Sequence, residues 1–321
     1  MPFARNRLRG HGVAGVGCYQ RPPISQLDFT ECIVDSRADK SEQAPLGQRL
    51  QEIISHPSYR IAYLDADYIT REDMRPVRLE LELLKPQVML EEARVVSTVV
   101  IFGGTQMAET QDADERVQRA DENLSNQPDN ADCRREKEIA DQVRRNCRFY
   151  DECRQFARLV SLHSKKFRDG EFIVKTGGGP GIMEAANRGA YDVDAKSIGL
   201  NITLPFEQVP NAYITPGLCF QFNYFAIRKM HFLLRAKALV CFPGGFGTLD
   251  ELFTTLTLRQ TQRMQAIPII LYSKDYWDNV INFQFLADQG VIRDEHLQLF
   301  QYANSPEEAW GIIAAYYNVE P

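Results

Sequence analysis

FIVKTGGGPGIMEAANRGA, Phe172 to Ala190, reads as a short buried strand that runs into a cluster of glycines and then into a helix expected from Ile182. A second stretch, CFPGGFGTLDEL from Cys241 to Leu252, repeats the plan. It follows the run KALVCF and opens a helix expected from about Leu249. Backbone N–H groups at the amino end of a helix are unsatisfied and carry partial positive charge, so a glycine turn at that place suits a phosphate. The same glycines also serve simply as tight strand-to-helix turns, and one such loop alone does not separate the two readings.

Outward from these loops the pattern is regular. VVSTVVIFGG, ending at Gly103 and Gly104, reads as a buried parallel strand with its carboxyl-end loop, and SIGLNITL and IPIILY read as further strands. Helices are expected from about Phe149 to Phe167, from Ile182, from about Phe220, from Leu249, from Tyr276 and from Ser305. Strands alternating with helices of this length indicate βαβ units. The expected fold class is α/β, a Rossmann-like doubly wound parallel sheet with helices on both faces. Residues 95–321 form this domain and residues 1–94 an amino-terminal extension. The extension is irregular to about residue 60, with Pro22 and Pro23, and then carries a helical arm from Ile61 to Glu92 broken by Pro76 and Pro86. The highly charged stretch Met107–Arg148 is expected to be an exposed helical insertion.

Composition narrows the function. A formal net charge of −6 argues against a surface built for a nucleic acid polymer, and no apolar stretch is long enough to span a bilayer. The seven cysteines, Cys18, Cys32, Cys133, Cys147, Cys153, Cys219 and Cys241, form no C-x-x-C pair. They read as reduced thiols of a cytoplasmic protein, with no structural metal expected. The basic start MPFARNRLRGHG lacks an apolar segment after it and reads as a tail. Neither glycine loop is followed by the lysine of a nucleotide triphosphate loop, and FGGTQM at the first strand lacks the dinucleotide fingerprint.

Two carboxylates and one guanidinium stand near the loops. Glu184 and Glu251 each follow a plausible cap, Gly181 and Thr248, by three residues, which would put both in a first helical turn. For Glu251 the pattern T-x-x-E is also that of a capping box, which would occupy the carboxylate with the backbone. If Glu251 instead faces a cleft, the helix dipole favours its ionised form, suited to orienting water or stabilising a cationic sugar. Arg228, with Lys229 beside it in FQFNYFAIRKMHFLL, either finds an anionic or carbonyl partner or snorkels to solvent.

Taken together, GGGPGIMEA, then Arg228-Lys229, then PGGFGTLDE resemble the Lonely Guy (LOG) family, historically labelled possible lysine decarboxylase, over roughly Val95–Tyr317. The resemblance implies hydrolysis of the N-glycosidic bond of a nucleoside 5'-monophosphate, AMP or a cytokinin riboside 5'-monophosphate, without a cofactor. It implies Arg228 and Glu251 as the catalytic pair and Gly244, Gly245, Gly247 and Thr248 as the phosphate grip. Lys229 would assist, and Gly177, Gly178, Gly179, Gly181 and Glu184 would line the sugar and base side, with Gly103 and Gly104 also counted toward substrate binding. It further implies a homodimer or larger homo-oligomer, for which the arm RPVRLELELLKP is a candidate contact. The charged insertion and the long extension depart from short members of the family. The competing readings are a nucleotide or molybdenum-cofactor carrier, and a pyridoxal-phosphate decarboxylase. The latter needs a Schiff-base lysine, and nothing in the sequence marks Lys175, Lys229 or Lys237 as one.

Overall fold

The computed structural model describes residues 40–167, 170–205 and 209–320. The basic tail, the Pro22-Pro23 segment, Cys18 and Cys32 lie outside the described residues. By internal packing the chain divides into Met1–Ala66 and Asp67–Pro321. In the first unit α1 (Lys40–Ser55) is followed by two single 3₁₀ turns, Pro57–Tyr59 and Ala62–Leu64. Most of this stretch was expected to be irregular; it holds a helix of four and a half turns, which carries Pro45 near its start.

The second unit is a single seven-stranded sheet. Its strands are β1 (Thr98–Phe102), β2 (Ile173–Thr176), β3 (Ser197–Ile202), β4 (Cys219–Phe222), β5 (Ala236–Cys241), β6 (Ile269–Tyr272) and β7 (Gln301–Ala303). They lie in the order β4-β3-β2-β1-β5-β6-β7, every neighbouring pair parallel. The doubly wound sheet read from the sequence is therefore present. Parallel strands covered on both faces are apolar at most positions, and β1, TVVIF, is buried throughout. Its alternate residues serve two cores: Val99 and Ile101 pack on one face with Val174, Val240 and Tyr272, Val100 and Phe102 on the other with Ile198, Leu239 and Leu271.

The helices are α2 (Ala66–Ile69), α3 (Arg75–Glu92), α4 (Thr110–Asn126), α5 (Ala131–Arg145), α6 (Arg148–Phe167), α7 (Ile182–Tyr191), α8 (Phe225–Leu233), α9 (Phe246–Gln260), α10 (Lys274–Val280), α11 (Phe283–Asp288) and α12 (Pro306–Tyr317). Helices α6, α7 and α12 supply the first core, and α3, α8, α9 and α10 supply the second through Leu90, Phe232, Leu252 and Trp277.

Three expectations are corrected. The segment from Phe220 begins as strand β4, and the helix starts only at Phe225. At β4, burial alternates exposed and buried because it lies at the edge of the sheet, so its signal is that of four residues with one covered face. The other edge strand, β7, was not anticipated at all. The arm is interrupted next to Pro76, which opens α3 where its missing N–H costs nothing, but not at Pro86, which is accommodated inside the helix.

The insertion is the expected exposed helical structure, a hairpin of α4 and α5. Asn130 caps α5 by accepting the N–H of Asp132 at 2.9 Å. Lys137 pairs with Asp121 at 3.0 Å and with Asp141 at 2.8 Å, and Arg144 pairs with Asp114. Ala113, Val143 and Cys147 form a small core beneath them.

Helices α6 and α7 approach most closely at Gly189, where a Cβ would stand 2.2 Å from the carbonyl oxygen of Arg154 and 2.9 Å from Cβ of Ala157. Backbone cannot yield as a side-chain tip can. Gly189→Ala is expected to destabilise the fold by about 1–3 kcal/mol, read as a lower urea midpoint.

Candidate functional site

In an open parallel sheet the loops at the carboxyl ends diverge where the strand order reverses, and a crevice opens there. Here the reversal falls at β1, flanked by β2 and β5. The loop after β1 lies between the two glycine loops and is tied to both. The Gly104 N–H donates to the carbonyl of Pro243 at 2.9 Å, and the Gly104 carbonyl accepts from the N–H of Ile182 at 3.1 Å. A Cβ on Gly181 would stand 2.4 Å from the Gly104 oxygen, so the approach requires glycine, and at φ +72° its backbone does too.

The three loops bound a cleft of about 370 Å³. Gly103, Gly104, Gly177, Gly245, Gly247, Thr248, Arg228 and Glu251 line it. Phe102, Thr105, Met183, Ile202, Leu204, Phe225, Phe246 and Asp250, none of them anticipated as site residues, complete the wall. Of these, Phe246 stands within the glycine motif itself and is 90% exposed, a phenyl ring presented to whatever enters. Nothing in residue type marks Ile202 or Leu204 as site residues; they reach the cleft because β3 ends beside it.

Gly178, Gly179, Gly181, Gly244, Glu184 and Lys229 are not among the residues that line the cleft. The Gly178 N–H donates to Thr176 Oγ1 at 2.9 Å, and Asn211 Nδ2 donates to the Gly179 carbonyl at 3.0 Å. At Gly244 a Cβ would collide with Thr248 Oγ1 at 2.1 Å, and its carbonyl accepts the Tyr276 hydroxyl at 2.7 Å. Glu184 is in the first turn of α7, as expected, but its carboxylate accepts the Tyr150 hydroxyl at 2.8 Å. Lys229 pairs with Asp250 at 2.6 Å and donates to Thr254 Oγ1 at 2.9 Å.

Arg228 does not snorkel. Its Nε donates to the Leu200 carbonyl at 2.7 Å, and its guanidinium carbon lies 4.9 Å from the centroid of the Phe232 ring. The guanidinium rests on Gly177, where a Cβ would stand 2.6 Å from Nη2. Burial lowers the Arg228 pKa and the Glu251 charge opposes that shift.

Glu251 departs from the sequence reading in two respects. Helix α9 starts at Phe246 with Gly245 as its cap and no side-chain capping bond, so Glu251 is in the second turn and no capping box forms. Burial, not the helix dipole, dominates its titration. Only 6% exposed, it is pushed up to about 7 by desolvation, against the lowering influence of Lys229 and Arg228 and with Asp250 raising it further. Among the described residues no group hydrogen-bonds to its carboxylate, and no ion pair joins it to Arg228. A buried acid left without a partner and open to a cleft has its bonding capacity reserved for what the cleft receives.

Among the described residues no group of three or more His, Cys, Asp or Glu is gathered as for a metal ion, and no helix is long and apolar enough to cross a membrane. Lys175, one of the three lysines weighed for a Schiff base, is fully buried away from the cleft.

The family model described as "Possible lysine decarboxylase" matches residues 183–313, from just after the first glycine loop through the second. No curated protein matches the chain. Among solved structures, the molybdenum cofactor binding protein from Rippkaea orientalis is 19% identical, with 53% of this chain and 88% of that one covered and a TM-score of 0.39. The structural-genomics target TM1055 is 17% identical over 68% of this chain and 99% of that one, TM-score 0.41. The Moco carrier protein from Chlamydomonas reinhardtii is 14% identical over 69% and 98%, TM-score 0.38. Over residues 183–313 the chain is therefore similar to the family described as possible lysine decarboxylase.

Proposed function

We propose that this protein hydrolyses the N-glycosidic bond of a nucleoside 5'-monophosphate to the free base and ribose 5-phosphate. The observation that supports it most directly is the Glu251 carboxylate, buried, unpartnered and facing a cleft that also holds Arg228 and the amino end of α9. The 5'-phosphate sits at that amino end, where Gly245, Gly247 and Thr248 let backbone N–H groups reach it. Holding the phosphate there turns binding energy remote from the bond being broken into placement of the ribose.

The C1'–base bond lengthens first, and the sugar gains cationic character that the Glu251 carboxylate stabilises. A water adds to C1' as the base departs; the carboxylate accepts the proton of that water and returns it to the leaving base, so protons balance. An acid with a pKa near 7 is suited to both transfers. Arg228, held by the Leu200 carbonyl, supplies a fixed positive charge that favours the ionised acid or binds a substrate oxygen. The apolar and aromatic wall of Phe102, Ile202, Leu204, Phe225 and Phe246 suits a base. A homo-oligomer and a cytoplasmic location belong to the same proposal.

The test is incubation of the full-length protein with a panel of nucleoside 5'-monophosphates and the matching nucleosides, scoring ribose 5-phosphate and free base. Hydrolysis of the monophosphates with little of the nucleosides is expected. A protein that retains nucleotide unchanged is a carrier, and the proposal then falls. Glu251→Gln is expected to lower turnover at least about a hundredfold.

The ionised acid is the working form. With its pKa at about 7, kcat/KM in the wild type is expected to rise about tenfold per pH unit up to near pH 7 and level off above it. A flat profile between pH 5.5 and 8 contradicts the assignment.

Stability changes in the opposite sense. The folded state holds the Glu251 proton more tightly than the unfolded chain, so its contribution is flat at low pH. Stability is then lost as pH rises from about 4.5, the ordinary value, through about 7. Glu251→Gln, which cannot ionise, is expected to be more stable than wild type at pH 8, on the order of 2 kcal/mol, and nearly equal to it at pH 4.5. Thermal denaturation at the two pH values checks this.

A further inference from the structure

The helix that carries Arg228 is held at both ends by charged groups for which the proposed reaction has no use. At its amino end the Glu82 carboxylate of α3 accepts the N–H of Asn223 at 2.9 Å and of Tyr224 at 3.2 Å. At its carboxyl end the Lys175 ammonium of β2 donates to the carbonyls of His231 and Leu234, both at 2.9 Å. An acid at the start of a helix and a base at its end both oppose the dipole favourably and satisfy groups that have no partner within the helix.

Lys175 has no exposed surface. A buried ammonium is expensive, and its pKa is drawn down to about 7 by desolvation and by Arg235. Methionine would fill the same volume at no such cost. What lysine adds is the pair of bonds to the end of α8.

These two anchors bear on the cleft through Arg228. Helix α8 has nine residues, too few to hold its own direction against its neighbours. Arg228 is on its first turn, with Nε on the Leu200 carbonyl and Nη2 against Gly177, two residues beyond Lys175 on the same chain segment. Glu251 belongs to a different helix, α9. Their separation therefore depends on how α8 is set, and its two ends are where that is decided. Glu82 also lies outside residues 183–313, so a segment beyond the matched family region reaches the machinery of the site.

We propose that Glu82 and Lys175 are positioning residues: together they clamp α8 by its two ends and so set the Arg228 guanidinium opposite Glu251 across the cleft. The clamp itself is a structural claim; its effect on turnover rests on the glycosidase reading.

The test uses the full-length protein without ligand and then with AMP. Three variants are compared: Glu82→Ala, Glu82→Gln, which keeps an acceptor oxygen, and Lys175→Met, which keeps the bulk. The Nε–H resonance of Arg228 and the amide exchange of α8 are read first. In Glu82→Ala the resonance is expected to shift and α8 exchange to quicken about tenfold while α7 and α9 keep their protection. Turnover is expected to fall about tenfold with KM within about twofold, because the phosphate is held by α9. Glu82→Gln is expected to recover most of both changes, and Lys175→Met to move the same resonance.

An unshifted Arg228 resonance in both Glu82→Ala and Lys175→Met overturns the clamp. A loss of protection spread evenly over the chain and not recovered by Glu82→Gln also overturns it, since that is the mark of general destabilisation. If the wild-type protein hydrolyses no nucleotide, the glycosidase reading fails while the resonance still decides the clamp.

Discussion

Two backbone hydrogen bonds of one residue, Gly104, hold the site in register. Its N–H reaches the loop after β5 and its carbonyl reaches the start of α7. Each glycine loop leaves its own strand, and nothing local to either loop sets its distance from the other. Gly104 stands between them because β1 lies between β2 and β5, and each bond is open to it because no side chain intervenes. The cleft is thus a consequence of strand order combined with close packing of three backbones.

The electrostatics of the cleft follow from the same crowding. Packing α9 against the second core buries Glu251, and desolvation then outweighs the neighbouring positive charges of Lys229 and Arg228. Lys229 is itself neutralised by Asp250, which tempers what it does for Glu251. The carboxylate is left near the midpoint of its titration at neutral pH, a state that neither a solvent-exposed acid nor one locked in an ion pair would reach. Arg228 keeps its charge by a different route, with a carbonyl acceptor and an aromatic face in place of a counter-ion.

Segments outside the sheet take part unequally. The α4–α5 hairpin interrupts the connection from β1 to α6 with a solvated, ion-paired surface, and it is tied to α7 through the Glu109–Arg188 pair at 2.6 Å. Helix α3 is more intimately involved, since Glu82 braces the start of α8 and Leu90 enters the core. Its outward face still shows Val77, Leu81, Leu84 and Val88 at helical spacing, all exposed in the single chain.

Much of this was legible in the residues. Buried parallel strands are mostly apolar, so β1, β2, β3, β5 and β6 stood out as short apolar runs, and glycines after β1, β2 and β5 marked where backbone must come close. The edge strands β4 and β7 did not stand out, because four and three residues with one covered face leave almost no periodicity. Residue identity also singled out Arg228 and Glu251, which the structure brings to one cleft. Whether Glu251 caps its own helix or faces a cleft was left open by spacing, and the choice was made by the helix starting at Phe246, two residues before Thr248. The raised titration of Glu251, the diversion of Glu184 to Tyr150 and the bracing of α8 by Glu82 and Lys175 depend on groups far apart in the chain. Burial and hydrogen-bond partnership are properties of neighbours in space, and only the packed tertiary structure assigns them.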